Sequence, residues 1–273
     1  MRTTAIFNLK GGVAKTITTA AMADILAIDQ KKRVLVIDAD GQGNLSQYFG
    51  VDAQEGVSTL DLLRGTHEPV YSDWVTPARP DVDIDIIPAD MTLMYADVDV
   101  YEGRLTSQHA MEELRQAIEE DAQSPDADAR AAAYDYMLID CPPSFSAAAY
   151  AALVAADDVV IPLRLDAFST GGMADLITQI NNVQRVNPRL KVAGLLATQF
   201  SSTPEERAAL TYLRTSHLPL YVHKIRRSAR VSAATYAREP LVRFSPNCAA
   251  AQDYRAFVAE YMAQEGGTGD GQK

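Results

Sequence analysis

Lys10-Gly11-Gly12-Val13-Ala14-Lys15-Thr16 is the stretch whose reading decides the fold. It follows an apolar, β-branched run (Thr3 to Phe7) and opens an Ala/Thr/Ile-rich segment (Ile17 to Ile28), which puts it at a strand-to-helix turn. A phosphoanhydride needs several N–H donors converging from backbone unobstructed by side chains, together with the positive end of a helix dipole. Glycines ahead of a helix N-terminus supply both. Lys15 then offers a mobile cation to the outer phosphates, and the Thr16 hydroxyl is placed to ligate Mg²⁺. Gly11, Gly12, Val13, Ala14, Lys15, Thr16 and Ile17 are therefore the candidate nucleotide contacts.

The spacing departs from the common G-x-x-x-x-G-K-[ST] loop. Ala14 stands where the glycine before the lysine is expected, and a second lysine, Lys10, opens the loop. A methyl at position 14 is tolerable if φ there is negative and unfavourable if it is positive. Lys-Gly-Gly-x-x-Lys-Thr resembles the deviant Walker A motif of the ParA/MinD ATPases. The resemblance implies that Lys10 reaches the nucleotide of a partner subunit.

Two carboxylate motifs extend the match. The run Arg33 to Ile37 reads as a buried strand that ends in Asp38-Ala-Asp-Gly-Gln-Gly-Asn44. Polar side chains at the carboxyl end of a parallel strand face the crevice where an open α/β sheet binds ligands. The segment resembles the family's D-x-D-P-Q-x-N switch, with Gly41 in place of the proline. That resemblance implies that Asp40 orients the attacking water, while Asp38 supports the metal shell and the loop. Tyr136-Met-Leu-Ile-Asp140-Cys-Pro-Pro-Ser144 is an apolar strand ending in an aspartate, as in a Walker B motif, with Asp140 holding Mg²⁺. Lys10, Lys15 and Asp40 are thus the candidate catalytic residues, and Thr16, Asp38 and Asp140 the candidate metal residues, of an ATP-hydrolysing site.

Strand patterns at 3–8, 33–38, 83–88, 136–140, 158–163 and 192–197 alternate with helical patterns at 16–30, 103–120, 146–156, 170–185, 204–215 and 249–264. This alternation predicts a mostly parallel, doubly wound α/β sheet with helices on both faces. One domain over 1–265 is expected, with a polar surface connection at 121–133 and a disordered tail at 266–273. Val159-Val-Ile-Pro, Asp166-Ala-Phe-Ser-Thr-Gly and Val192 to Thr198 resemble the family's later core strands, and Ala251 to Phe257 its last helix.

At 273 residues, with 47% apolar and 22% charged residues, the composition is that of a soluble globular protein. The longest apolar stretch, Ala147 to Leu163, is broken by Asp157 and Asp158, and no secretory signal is present. Cys141 and Cys248 form neither a disulfide framework nor a metal cluster, so a reducing cytoplasm is expected. Cys141, beside the Walker B aspartate, reads as a small buried residue rather than a reactive thiol.

Net charge is −11, but unevenly spread. Thr211 to Ala250 holds seven Lys/Arg against Glu239, a local +6, whereas Asp81 to Asp135 holds fifteen acids against three arginines. A basic patch on an acidic body can hold phosphates on one face, or it can form salt bridges to the acidic lobe. The segment resembles the family's I-P-R-N-V-R-L-S-E-A, with Arg227 and Arg230 the matching residues, which implies nonspecific binding of double-stranded DNA through Arg226, Arg227 and Arg230. Arg226 stands where a proline is usual.

The phosphate loop starts by residue 10, so no N-terminal helix-turn-helix and no operator-specific repression are expected. The stretch Gln264 to Lys273 lacks the amphipathic membrane helix of MinD-type proteins, so no membrane partner is expected. Neither cysteine has the context of a cluster ligand, as the nitrogenase iron protein requires. The resemblance thus implies a partitioning ATPase, cytoplasmic and nucleoid-associated, that forms an ATP-driven homodimer and is stimulated by a ParB-like centromere-binding protein. The alternative is a nucleotide-switched scaffold that positions a protein cargo without binding DNA.

Overall fold

Alternation of buried side chains along the strands builds a core on both faces of one sheet. Ala5, Leu35, Ile37, Met137, Ile139, Val159 and Ile161 point to one face, and Ile6, Val34, Val36, Leu138, Val160 and Leu196 to the other. A sheet covered on both sides needs such continuous apolar strands, and parallel strands need helical crossovers to supply the covers. The structure, a computed structural model, describes residues 1–54, 57–65, 74–79, 81–105, 108–124, 133–166 and 172–266.

The first half of the chain runs β1 (Arg2–Ile6), α1 (Lys15–Ile28), β2 (Val34–Asp38), α2 (Asn44–Phe49), α3 (Thr59–Arg64), β3 (Thr76–Arg79), β4 (Ile84–Ile87), a 3₁₀ turn (Met91–Met94), α4 (Tyr95–Tyr101) and α5 (Ala110–Ala122). The second half runs β5 (Tyr136–Asp140), α6 (Ala147–Ala155), β6 (Asp158–Arg164), α7 (Met173–Val183), β7 (Lys191–Thr198), α8 (Pro204–Leu213), α9 (Ala229–Ala237), α10 (Leu241–Phe244) and α11 (Ala249–Gly266). The strand order is β3-β4-β2-β5-β1-β6-β7, with every pair parallel except β3 against β4. The doubly wound sheet expected from the alternation is therefore present.

This order makes β2, β5 and β1 neighbours, and their register pairs Asp38 with Asp140 and Asp140 with Ile6. Their carboxyl ends thus carry both acidic motifs and the glycine loop to one place on the rim of the sheet.

Several boundaries differ from the sequence reading. The helix expected over 103–120 begins only at Ala110, because Gly103 takes φ +69° and closes a separate helix, α4. The edge strand β3 was not anticipated, nor were the short helices α2, α3, α9 and α10. Residues 121 and 122 of the expected polar connection complete α5, and 125–132 lie outside the described residues, as do 167–171. The last helix extends to Gly266, and 267–273 of the expected tail are likewise outside them. Among the described residues no helix is long and apolar enough to cross a membrane.

Candidate nucleotide site

The loop between β1 and α1 is braced from beneath by side chains of neighbouring strand ends. Thr198 at the end of β7 donates to the Val13 carbonyl at 2.9 Å, and the Gln199 amide donates to the Gly12 carbonyl at 2.8 Å. Asn8 accepts from the Lys10 N–H at 3.0 Å and donates to the Pro162 carbonyl at 2.8 Å. A Cβ added to Gly11 or Gly12 would meet no atom within 4 Å, so these two positions leave open space above the backbone. Gly12 has φ +73°.

Ala14 has φ +68°, ψ +35°, the unfavourable one of the two alternatives, and it caps α1 without a side-chain hydrogen bond. An L residue there costs roughly 1–2 kcal/mol relative to right-handed backbone. Part of that is offset by the lower entropy of alanine in the unfolded chain. Ala14→Gly is therefore expected to stabilise the chain by about 1 kcal/mol, read as a rise of about 2 °C in the thermal midpoint. An unchanged or lowered midpoint would show that the strain is relieved elsewhere in the loop.

Lys15 is buried, and its ammonium donates to the carbonyls of Asn8 at 3.0 Å and Lys10 at 3.1 Å. Burial lowers its pKa, and the nearby Asp140 pulls in the opposite direction. Lys10 points elsewhere: its Nζ lies 2.6 Å from Asp166 Oδ1, at the end of β6, with both side chains about one-third exposed. In the single chain Lys10 is thus held by its own Asp166.

Asp140 is fully buried, and desolvation, with Asp38 close by, raises its pKa well above the carboxylate range. The Thr16 hydroxyl hydrogen-bonds it, and Thr19 Oγ1 lies 3.4 Å from its Oδ1. Its Oδ2 has no hydrogen-bond partner among the described residues. A buried carboxylate oxygen left unpaired beside a threonine hydroxyl at a helix N-terminus is the donor set of a hard divalent cation, so Thr16 and Asp140 fit the Mg²⁺ expected from the motif.

Asp38 is spent differently. Its Oδ2 accepts from the Ser46 N–H at 2.9 Å and the Ser46 hydroxyl at 2.7 Å, and its Oδ1 accepts from the Asp40 N–H at 3.2 Å. Burial raises its pKa to about 6 against these bonds. Of the two expected roles it fills the loop-holding one, tying the switch to the first turn of α2. Both its oxygens thus accept hydrogen bonds from the chain, Oδ2 from Ser46 and Oδ1 from Asp40.

Asp40 is half-buried and accepts from the Gln42 N–H at 3.0 Å. Gly41 packs against the 3₁₀ turn, and an added Cβ would lie 3.3 Å from Met94 Cγ. Gly43, at φ +62°, is fixed by close approach: a Cβ there would stand 2.7 Å from the Ala89 carbonyl oxygen. Cys141 is buried and its thiol is pushed up by desolvation and by Asp140, which makes it an inert core residue.

Two cavities meet over the loop at Gly12, Ala14 and Ile17. One, about 670 Å³, is lined by Lys15, Thr16, Asp40 and Gln42, with Tyr236 and Arg238 from the end of α9. The other, about 550 Å³, is lined by Thr198, Gln199, Ile225, Arg227, Val231 and Tyr254. Thr198, Gln199, Asn8 and Asp166 escaped the sequence reading. Asp166, Thr198 and Gln199 are the polar residues at the ends of β6 and β7, as Asp38 and Asp140 are of β2 and β5, and Asn8 follows β1 in the same way.

The three arginines expected to meet DNA divide. Arg226 is gripped by Asp253, with Nε–Oδ2 at 2.8 Å and Nη2–Oδ1 at 2.7 Å, so its charge is answered by a carboxylate of the same chain. Arg227 and Arg230 are exposed, with no side-chain partner among the described residues. Arg227 also borders the second cavity, whereas Arg230 does not.

Residues 1–192 match the model of a protein family described as an AAA domain. The chain is 33% identical over 270 residues to the chromosome partitioning protein ParA of Caulobacter vibrioides, spanning 97% of this chain and 95% of that protein. It is 30% identical over 270 residues to the chromosome-partitioning ATPase Soj of Thermus thermophilus, spanning 97% and 96%. Among solved structures, cobyrinic acid a,c-diamide synthase from Mycobacterium smegmatis with bound ADP and magnesium superposes at a TM-score of 0.78 and 29% identity, over 97% of this chain and 96% of that one. With its deviant Walker A loop, its two aspartate-tipped strands and full-length relatives of this kind, the chain belongs to the ParA family of P-loop ATPases.

Proposed function

We propose that this chain is a Mg²⁺-dependent ATPase that partitions DNA: ATP closes two subunits face to face, the closed dimer binds duplex DNA without sequence preference, and hydrolysis resets it. The observation that carries the reading is the convergence of Lys15, Thr16 and Asp40 on one cavity, with the buried Asp140 hydrogen-bonded to Thr16 behind it and its Oδ2 without a partner among the described residues. Lys15 and the loop amides would hold the outer phosphates, Thr16 and Asp140 the metal, and Asp40 the attacking water. The bound Mg²⁺ would neutralise charge on the β- and γ-phosphates. The base would occupy the second cavity, where Ile225, Val231 and Tyr254 offer apolar surface and Gln199 an amide.

Dimer closure is supported by apolar surface beside the switch. Met91, Met94, Tyr95 and Tyr101 are 57%, 60%, 57% and 92% exposed, a cluster that a soluble monomer rarely leaves uncovered. The names of the relatives support partitioning, and with it a cytoplasmic place on the nucleoid and a centromere-bound ParB-like activator. DNA binding is supported by Arg227 and Arg230, exposed cations in an otherwise acidic chain.

Arg230→Ala is the clean test, because Arg230 stands clear of the nucleotide cavities. In a closed dimer it removes two phosphate contacts. The slope of log K against log salt for duplex DNA is then expected to flatten by about 1.8, from roughly 0.9 per contact, equally for all sequences. ATP affinity should be unchanged. Parental protein that shows no ATP-dependent, salt-sensitive shift of duplex DNA would favour the cargo-positioning scaffold.

A further inference from the structure

Arg238 follows the last residue of α9 and adopts φ +53°, ψ +33°. Its N–H closes the helix by bonding the carbonyls of Ala234 and Thr235, a left-handed cap that glycine makes without steric penalty. The cap therefore explains the backbone but not the arginine. The position is also firmly held. Arg79 donates from Nη1 to the Arg238 carbonyl at 3.2 Å, and Arg79 itself is anchored by the buried Asp24 at 3.0 Å. An L residue kept in sparsely populated backbone by its surroundings points to a task for its side chain.

That side chain lies against the end of α2, with Nη1 3.6 Å from where a Gly50 Cβ would stand, and it lines the same cavity as Lys15, Thr16 and Asp40. Arg79, which holds the Arg238 carbonyl, is paired with Asp24, and Arg243, on the next helix, with Asp81. Arg238 has no carboxylate partner among the described residues. The layout of the two cavities gives its counter-charge a direction. The two cavities share Gly12 and Ala14, so a nucleotide whose base lay against Ile225 and Tyr254 would cross the loop there and bring its last phosphate into the cavity lined by Asp40 and Arg238.

We propose that Arg238 is a second cation of the nucleotide site, meeting the terminal phosphate of ATP from the side of α2 and so linking the end of α9 to the difference between ATP and ADP. The proposal rests on the reading of the cavity as an ATP site. An arginine–phosphate contact is charge-assisted and directional, and it is made only when that phosphate is present. Through α9, whose first turn adjoins Arg227 and contains Arg230, such a contact would report the nucleotide to the basic segment.

The test is Arg238→Gly, titrated calorimetrically with AMPPNP and with ADP in the presence of Mg²⁺, beside the parental chain. Glycine relieves the left-handed position, so the thermal midpoint of the nucleotide-free protein should hold or rise. AMPPNP affinity should fall about tenfold while ADP affinity changes less than twofold. Arg238→Lys should recover part of the loss. Parental affinity of the variant for both nucleotides, or equal losses for both, would overturn the role of Arg238 and leave a helix cap. A parental chain that binds neither nucleotide would overturn the ATP-site reading and this proposal with it.

Discussion

Lys15→Ala is expected to weaken ATP binding by about a hundredfold or more, because it removes the one loop-borne cation that the same chain directs at the outer phosphates. The ammonium is buried and held by two carbonyls, and burial disfavours its charge. A triphosphate offers the compensating anion. Without Lys15, the carboxylates of Asp40 and Asp140 would face that anion unscreened by any loop cation. The variant should still fold, since the two carbonyls it abandons belong to an open loop. Lys10→Ala should behave differently. Its ammonium is held by Asp166 at 2.6 Å, away from the carbonyls that hold Lys15, so ATP affinity should stay within about threefold. If Lys10 leaves Asp166 to reach the partner's nucleotide, hydrolysis should fall by roughly 10³, the scale of an arginine finger. Isothermal titration with AMPPNP separates the two, and phosphate release measures turnover. Equal loss of affinity in both variants would remove the role of Lys10 in the second subunit.

The motifs were legible because each is local: a strand, a turn and the polar residues at its end lie within a dozen positions of one another. What could not be read was how the turns meet. The pairing of Asp38 with Asp140 depends on β5 inserting between β2 and β1, a contact between segments about a hundred residues apart. The same limit applied to charge. Counting found seven cations between Thr211 and Ala250, but the pairing of Arg226 depends on Asp253, which lies on α11. Edge strand β3 was hidden because Pro77 interrupts a four-residue strand that pairs on one side only. Helix α2 was hidden by the glycines on either side of it, Gly43 and Gly50, both at positive φ. Asp38 shows a tie that the motif alone does not display: Ser46, eight residues on, donates twice to its Oδ2.

Asp40→Ala is expected to bind ATP and accumulate as a dimer while hydrolysing about 10²- to 10⁴-fold more slowly, the range lost when a group that positions or deprotonates the nucleophile is removed. The structure limits the collateral damage. The Asp40 side chain makes one backbone bond, from Gln42 N–H, whereas the switch is independently tied by the Asp40 carbonyl to Gly43 N–H at 2.9 Å and by Asp38 to Ser46. Thr16 and Asp140, which would hold the metal, stand on α1 and β5, and loss of the Asp40 charge would favour the ionised form of Asp140. Loss of a carboxylate facing the phosphates also removes a repulsion, so ATP affinity should be parental or higher. Gel filtration with ATP and Mg²⁺ reads the dimer, and phosphate release reads the rate. A variant that stays monomeric would mean that Asp40 shapes the closing face rather than the water. Turnover at the parental rate would move the nucleophile-orienting role to another residue of the same cavity, where Gln42 is the nearest polar side chain in sequence.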